Sequence, residues 1–233
     1  MKLLASSAVA LALAAAPAMA FQFTGGNAEL SYSAFTDDMD YSKAGLSGQA
    51  TFAFGPQLGA QIDAGVSKFF EVGETAHDLT LHGIYNVAPE VAMGVFYGAE
   101  RIGGNSRDFY GFELTQKSAM FEGELYLGRG ESVRYDGMLA GISGSYNVAP
   151  EFGLGLAYDR ADIRGLDMRK YAITADYALS PDISLGAEIG RFKADLDEVH
   201  GSETYVGLNA KMYFGGGDAT FSRRGVLDII PGL

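Results

Sequence analysis

Apolar and polar residues alternate with a period of two through most of the chain after residue 20. Leu58, Ala60, Ile62, Ala64 and Val66 share one parity, and Gly59, Gln61, Asp63, Gly65 and Ser67 share the other. The stretch 205–214 repeats the plan, with Val206, Leu208, Ala210, Met212 and Phe214 set against Tyr205, Gly207, Asn209, Lys211 and Tyr213. Similar dyads run through Leu30/Tyr32, Leu79/Leu81, Val91/Met93/Val95, Leu154/Leu156 and Ile183/Leu185/Ala187/Ile189. Successive side chains of a β-strand point to opposite faces, so the pattern predicts strands with one apolar and one polar face.

The strands are punctuated by a recurring turn. Tyr85-Asn-Val-Ala-Pro89-Glu, Tyr146-Asn-Val-Ala-Pro150-Glu and Tyr177-Ala-Leu-Ser-Pro181-Asp follow one plan, and Phe54-Gly-Pro56-Gln is a tighter version. Proline fixes φ and lacks the N–H that a ladder needs, so each marks a turn rather than a strand interior. Positions 56, 89, 150 and 181 leave one double gap, and Gln116-Lys117-Ser118 falls where the missing turn belongs. More polar connections lie between these turns, at Thr36–Ser42, Glu71–Ala76, Gly103–Arg107, Gly128–Glu131, Arg160–Asp167 and Ala194–Ser202. Five tight turns alternating with six longer loops predict twelve strands, with both ends of the chain on the tight-turn side. A solenoid would instead repeat its core ladder residues, whereas here the shared residues sit at turns.

Soluble sandwiches and lipocalin-like barrels also alternate. Two features favour an all-β transmembrane antiparallel up-and-down barrel, with short periplasmic turns and longer external loops. Aromatic residues gather near strand ends: Tyr85, Tyr146, Tyr177 and Phe54 on the tight-turn side, and Phe69, Tyr97, Tyr110, Tyr158 and Tyr171 on the other. Strands of about ten residues tilted near 45° also match a bilayer, where closure satisfies every backbone donor and acceptor.

The N-terminus supports export. Lys2 precedes an almost unbroken Leu/Ala/Val run from Leu3 to Ala16, and Ala18-Met19-Ala20 supplies a small-x-small cleavage pattern. Residues 1–20 therefore read as a signal peptide, with Phe21 as the first mature residue. The chain has no cysteine, which excludes disulfides, zinc–thiolate sites and cysteine nucleophiles. With Lys2 removed, 16 basic residues face 29 acidic ones, a balance that repels nucleic acid.

Signal peptide, hairpin repeat and the stretch Tyr205–Phe214 together resemble small proteobacterial outer-membrane porin-type barrels. The ending Gly207-Leu-Asn-Ala-Lys-Met212-Tyr-Phe214 is similar to that family's C-terminal insertion signal, which closes on an aromatic residue. The chain departs from it by continuing to Leu233. This divides the chain into a signal peptide (1–20), a barrel (21–214) and a C-terminal tail (215–233) expected in the periplasm. The resemblance implies location in the cell outer membrane, contact with outer-membrane lipid and lipopolysaccharide, passage of small hydrophilic solutes, and a homo-oligomer as one option.

If the apolar parity faces lipid, the inner face carries Glu29, Asp63, Asp78, Glu100, Glu113, Glu122, Glu124, Asp176 and Glu188, with Lys170 and Lys211 as its main cations. Such an acid excess in a low-dielectric tube favours cations. The glycine-rich inner face argues for open space, since twelve strands lie between the filled eight-strand barrel and the aqueous sixteen-strand pore. The expected function is thus a cation-preferring, porin-like channel for passive diffusion. A filled structural or adhesive barrel is the alternative, and an outer-membrane enzyme the third class.

No catalytic, cofactor or metal set is expected. His77 and Asp78 are sequential and point to opposite faces of a strand. His82 would sit alone in the lumen near Asp63, and His200 would sit in a solvated loop with Asp195, Asp197 and Glu198. The glycine pairs and the triplet Gly215-Gly216-Gly217 precede no helix with Lys-Ser/Thr, so turns explain them.

Overall fold

The computed structural model describes residues 21–131, 136–163, 165–196 and 199–232. The expected signal peptide lies outside these residues. Twelve strands follow in order: β1 (Gln22–Phe35), β2 (Ser42–Ala53), β3 (Leu58–Phe69), β4 (Thr75–Ala88), β5 (Val91–Ile102), β6 (Asn105–Lys117), β7 (Phe121–Glu131), β8 (Asp136–Ala149), β9 (Phe152–Ile163), β10 (Leu166–Ser180), β11 (Ile183–Leu196) and β12 (Val199–Gly215). A short helix, α1 (Val226–Ile229), follows. Each strand pairs antiparallel with its sequence neighbour, and β1 pairs with β12 from Gly25↔Gly215 to Phe35↔Tyr205. The sheet is thereby a closed barrel without a free edge.

Pro56, Pro89, Pro150 and Pro181 lie on one rim, together with the turn at 118–120, the start of β1 and the end of β12. The repeated motif has a structural meaning beyond the turn itself. A register shift lies between Asn86 and Ala88, between Asn147 and Ala149, and between Ala178 and Ser180, just before each of the three two-residue proline turns. Such bulges free one residue from the ladder and sharpen the local bend. Each turn is then tied to its neighbour: Asn86 N–H donates to Gln57 O, Asn147 N–H to Met120 O and Ala178 N–H to Glu151 O, each at 2.8 Å.

The opposite rim differs from expectation. Strands extend through most of the segments read as longer loops, so β9 runs to Ile163 and β10 begins at Leu166. Gly103 and Gly104 adopt φ of 54° and 83° and join β5 to β6 as a two-residue turn. Positive φ at both positions matches the twist of a hairpin, and glycine reaches it without steric cost. Charged side chains misled the loop reading, because cross-strand ion pairs such as Arg160–Asp167 (2.9 Å) hold them in the ladder.

The two parities separate as the pattern requires. Leu58, Ile62, Leu154, Leu185, Leu208 and Met212 are exposed on the outer wall, whereas Asp63 and Glu124 are buried within. Tyr85, Tyr146, Tyr177, Tyr97, Tyr110 and Tyr171 are exposed as well. Phe69 is the exception. It shares the odd parity of Asp63 in β3 and turns inward, fully buried against Ala76 and Leu227.

Because Leu208 lies near the middle of β12 with 65% of its surface exposed, Leu208→Arg should destabilise the barrel in lipid vesicles by about 2–4 kcal/mol. The neighbouring Asn209→Arg, on the inner parity, should cost much less. Urea unfolding of both variants checks this, and equal costs would contradict the assignment of faces.

Candidate functional site

The lumen is where the structure departs furthest from the sequence reading. Residues 215–232 do not leave the barrel for the periplasm; they turn back into it. Gly215, at φ 77°, reverses the chain at the end of β12. Gly216 N–H then donates to Thr24 O (2.8 Å), and Gly217 O accepts from Gly26 N–H (2.9 Å). From there the segment climbs the lumen to the far rim, where Pro231 O accepts from Ser33 Oγ at 2.5 Å.

Wall side chains grip this segment at each level. Near the proline rim, Asn27 Nδ2 donates to Asp218, and Lys117 Nζ donates to Ala219 O at 2.9 Å. One step higher, Phe221 N–H donates to Gln61 Oε1 (3.0 Å), while Phe221 O accepts from Gln49 Nε2 (2.9 Å) and Gln61 Nε2 (2.8 Å). The Phe221 ring lies nearly parallel to His82, with centroids 6.0 Å apart, and packs on Ile84 and Ala92. Ser222 donates through N–H and Oγ to Glu124.

Two arginines follow. Arg223 Nη2 lies 2.7 Å from Asp78 Oδ1 and 3.2 Å from Asp228 Oδ1. Arg224 Nε lies 3.0 Å from Glu113 Oε2, its Nη2 contacts Glu124, and its guanidinium sits 4.5 Å from the centre of the Tyr126 ring. At the top, Val226 and Ile229 of α1 pack on Phe96, Phe109, Leu139, Ala161 and Met168. Leu227 N–H donates to Glu100 Oε1 at 2.8 Å. Lys43 Nζ donates to Leu227 O (2.9 Å) and Ile230 O (2.5 Å), and Lys170 Nζ donates to Asp228 O (3.2 Å), satisfying carbonyls that so short a helix leaves open.

The expected inner acids thus divide into two groups. Asp63, Asp78, Glu100, Glu113 and Glu124, on β3–β7, are buried; the last four contact the segment, and Asp63 accepts from Gln49 and Gln61 of the wall. His82 is not alone: Nε2 lies 3.0 Å from Asp63 Oδ2 and Nδ1 lies 2.6 Å from Glu113 Oε1. Both nitrogens face carboxylate oxygens, an arrangement that the doubly protonated ring satisfies with two N–H donors. His77 is exposed and Asp78 buried, on opposite faces. In the second group, Glu29, Glu122 and Asp176 border open space. Glu29 pairs with Lys211 (3.5 Å) and Glu122 with Lys117 (2.7 Å), and Asp176 is exposed within the lumen. Glu188 contacts Tyr205 Oη at 3.5 Å. Lys170 pairs with Asp159 (3.5 Å), an inner acid the parity pattern carries and the sequence reading left out.

These contacts leave a cavity of about 510 Å³ between the segment and the wall, lined mainly by β7–β10, β12 and β1. Glu29, Glu122, Glu124, Asp176, Lys117, Lys211, Asp218, Arg223 and Asp228 are among its lining. A smaller cavity of about 210 Å³ lies higher, between Tyr126, Asp159, Lys170 and Arg224. Gly153 borders this space, but most inner glycines do not create it. Those at 98, 94 and 141 are occupied by the side chains of Phe109, of Glu113 and Phe221, and of Tyr126. They make room for large neighbours, which is why glycine content overstated the opening. His200 Nδ1 lies 2.9 Å from Asp195 Oδ1 on the far rim, while Asp197 and Glu198 fall outside the described residues.

Arg224 and its two carboxylates are almost fully buried. Arg224→Met should therefore lower stability by about 3–5 kcal/mol, because the Glu113 and Glu124 carboxylates lose their counter-charge in a desolvated site. Adding Glu113→Gln and Glu124→Gln should recover most of the loss. Thermal unfolding in detergent micelles checks this, and an Arg224→Met protein as stable as the parent would contradict it.

The comparisons agree with this architecture. The KdgM porin is 9% identical, with a TM-score of 0.59, covering 81% of this chain and 99% of its own. The NanC porin is 7% identical, with a TM-score of 0.61, covering 80% and 98%. An outer membrane channel from Pseudomonas putida F1 is 12% identical, with a TM-score of 0.55, covering 86% and 100%. At these identities the likeness concerns the fold. No curated protein matches the chain. The model of the Gram-negative porin family matches residues 37–197, and the chain belongs to that family.

Proposed function

We propose that the protein is a passive outer-membrane channel for small hydrophilic solutes, with a preference for cations. The proline-turn rim faces the periplasm, and residues 1–20 direct export. The observation that carries this reading is the cavity of about 510 Å³ beside β7–β10, β12 and β1. Five carboxylates line it (Glu29, Glu122, Asp176, Asp218 and Asp228) against three cations (Lys117, Lys211 and Arg223), while Glu124 at its edge is paired with Arg224. Fixed charge in a narrow, low-dielectric passage excludes ions of like sign. A barrel of this fold, the KdgM porin, has also been solved in complex with disordered oligogalacturonate, which supports a lumen that receives solutes.

The second reading is a filled structural barrel, and the buried segment at 215–232 favours it. The two readings part in a planar bilayer. The channel gives discrete conductance steps, and the filled barrel gives none.

Selectivity supplies the finer test. The reversal potential should show cation preference in dilute salt and weaken in concentrated salt, since the Debye length falls from about 10 Å at 0.1 M to about 3 Å at 1 M. Glu122→Gln with Asp176→Gln should reduce the preference, because both side chains line the cavity. Glu188→Gln should change it less, since that group turns to Tyr205. Anion preference in dilute salt would refute the cation assignment.

A further inference from the structure

We propose that the inner wall of β2–β7 is a peptide-binding site, filled in this chain by its own C-terminal segment, and that the bound segment sets the width of the passage. The proposal about width rests on the channel reading; the binding site does not.

The wall reads the segment with dedicated groups. Gln61 is 1% exposed and engages both backbone groups of Phe221, donating to its carbonyl and accepting from its N–H. Gln49 adds a second donor to the same carbonyl. This pairing is what a neighbouring strand would supply, delivered here by side chains. His82, Ile84 and Ala92 receive the aromatic ring. Asp78, Glu113 and Glu124 receive the two guanidinium groups. The ligand class follows: an extended segment with an aromatic residue two and three positions before a pair of arginines.

The polarity of the wall indicates a site rather than permanent packing. A lumen meant only to be filled is served by apolar side chains, as where α1 meets Phe96 and Phe109. Buried amides and carboxylates are costly without partners, and water entering the lumen hydrates them when the segment is away, as the segment's own groups do when it is bound. Charge points the same way. Residues 216–232 carry Asp218 and Asp228 with Arg223 and Arg224, so their movement leaves the formal charge of the lumen unchanged. What changes is the open cross-section.

The test uses the full-length chain. Weakening the segment with Phe221→Ala, Arg223→Gln and Arg224→Gln together should raise single-channel conductance about two-fold or more, as the open cross-section grows. A fluorescent peptide of residues 216–232 should bind this variant, read by anisotropy, and return its conductance toward the parent value. The same peptide with both arginines replaced by glutamine should bind at least about tenfold more weakly, the loss of charge-assisted pairs. Should the variant fail to assemble, amide exchange on the parent protein decides. The N–H groups of Phe221, Ser222 and Leu227 should exchange at least about a hundredfold more slowly than in the free peptide. Parent conductance in the variant, arginine-independent peptide binding, or unprotected amides would each overturn the proposal. If neither protein conducts while the peptide still binds the variant in an arginine-dependent way, the channel reading and the claim about width fall, and the binding site stands.

Discussion

Inside hydrocarbon no water is present to satisfy a backbone N–H or C=O, and the rest of this structure follows from that constraint. An open sheet would leave two edges unpaired at a cost of several kcal/mol per group. The chain meets the requirement by pairing β1 with β12 over the stretch from Gly25 to Phe35. Closure in turn fixes the parity of every side chain, because one register slip exchanges the lipid face for the lumen face. The bulged proline turns serve the same end, since the bonds from Asn86, Asn147 and Ala178 to the preceding turn link successive hairpins around the rim.

Closure with twelve strands creates a second problem. Eight strands enclose a space that their own side chains fill, and twelve enclose more. Here the extra volume is divided. Along β2–β7 it is taken by the chain itself, through Phe221, Arg223 and Arg224, and near the far rim α1 reaches across to Leu139, Ala161 and Met168 on β8–β10; below α1 a cavity remains beside β7–β10, β12 and β1. The division explains why acids that look equivalent in sequence differ in role. Glu113 and Glu122 both point inward, yet one is sealed between His82 and Arg224 and the other borders the cavity with Lys117.

The outer half of this architecture was legible in the sequence. Period-two alternation reports directly on which face meets lipid, and proline reports on where the ladder stops, so twelve strands and a common turn rim could be read from spacing. Phe69 has the strand-end position of an interfacial aromatic but the parity of the lumen, and parity prevails. The inner half was not legible in the same way. The contacts that define it join residues far apart in sequence, such as Gln61 with Phe221 and Asp78 with Arg223, and no local periodicity records them. The ion pairs Arg160–Asp167 and Arg169–Asp195, across β9–β11, escape local periodicity for the same reason, and their charges look like loop residues. One signal was available: Phe221, Val226, Leu227, Ile229 and Ile230 form an apolar set that a solvated end has no use for, beside two arginines in an acidic chain.

The energetics of that segment also bear on its character. Taking guanidinium and carboxylate groups out of water costs several kcal/mol per ion, and their mutual attraction returns it only where geometry and additional hydrogen bonds are good. A buried pair is therefore a weak source of stability and a strong source of register, because a displaced arginine strands its partners. Asp78 with Arg223, and Glu113 with Arg224, fix the segment at one height in the lumen. The apolar contacts of Phe221, Val226 and Ile229 supply the attraction, at about 25 cal/mol for each Å² of apolar surface removed from water. Attraction thus comes from one set of residues and position from another. The apolar residues hold it against the wall, and the charged ones set its height in the lumen.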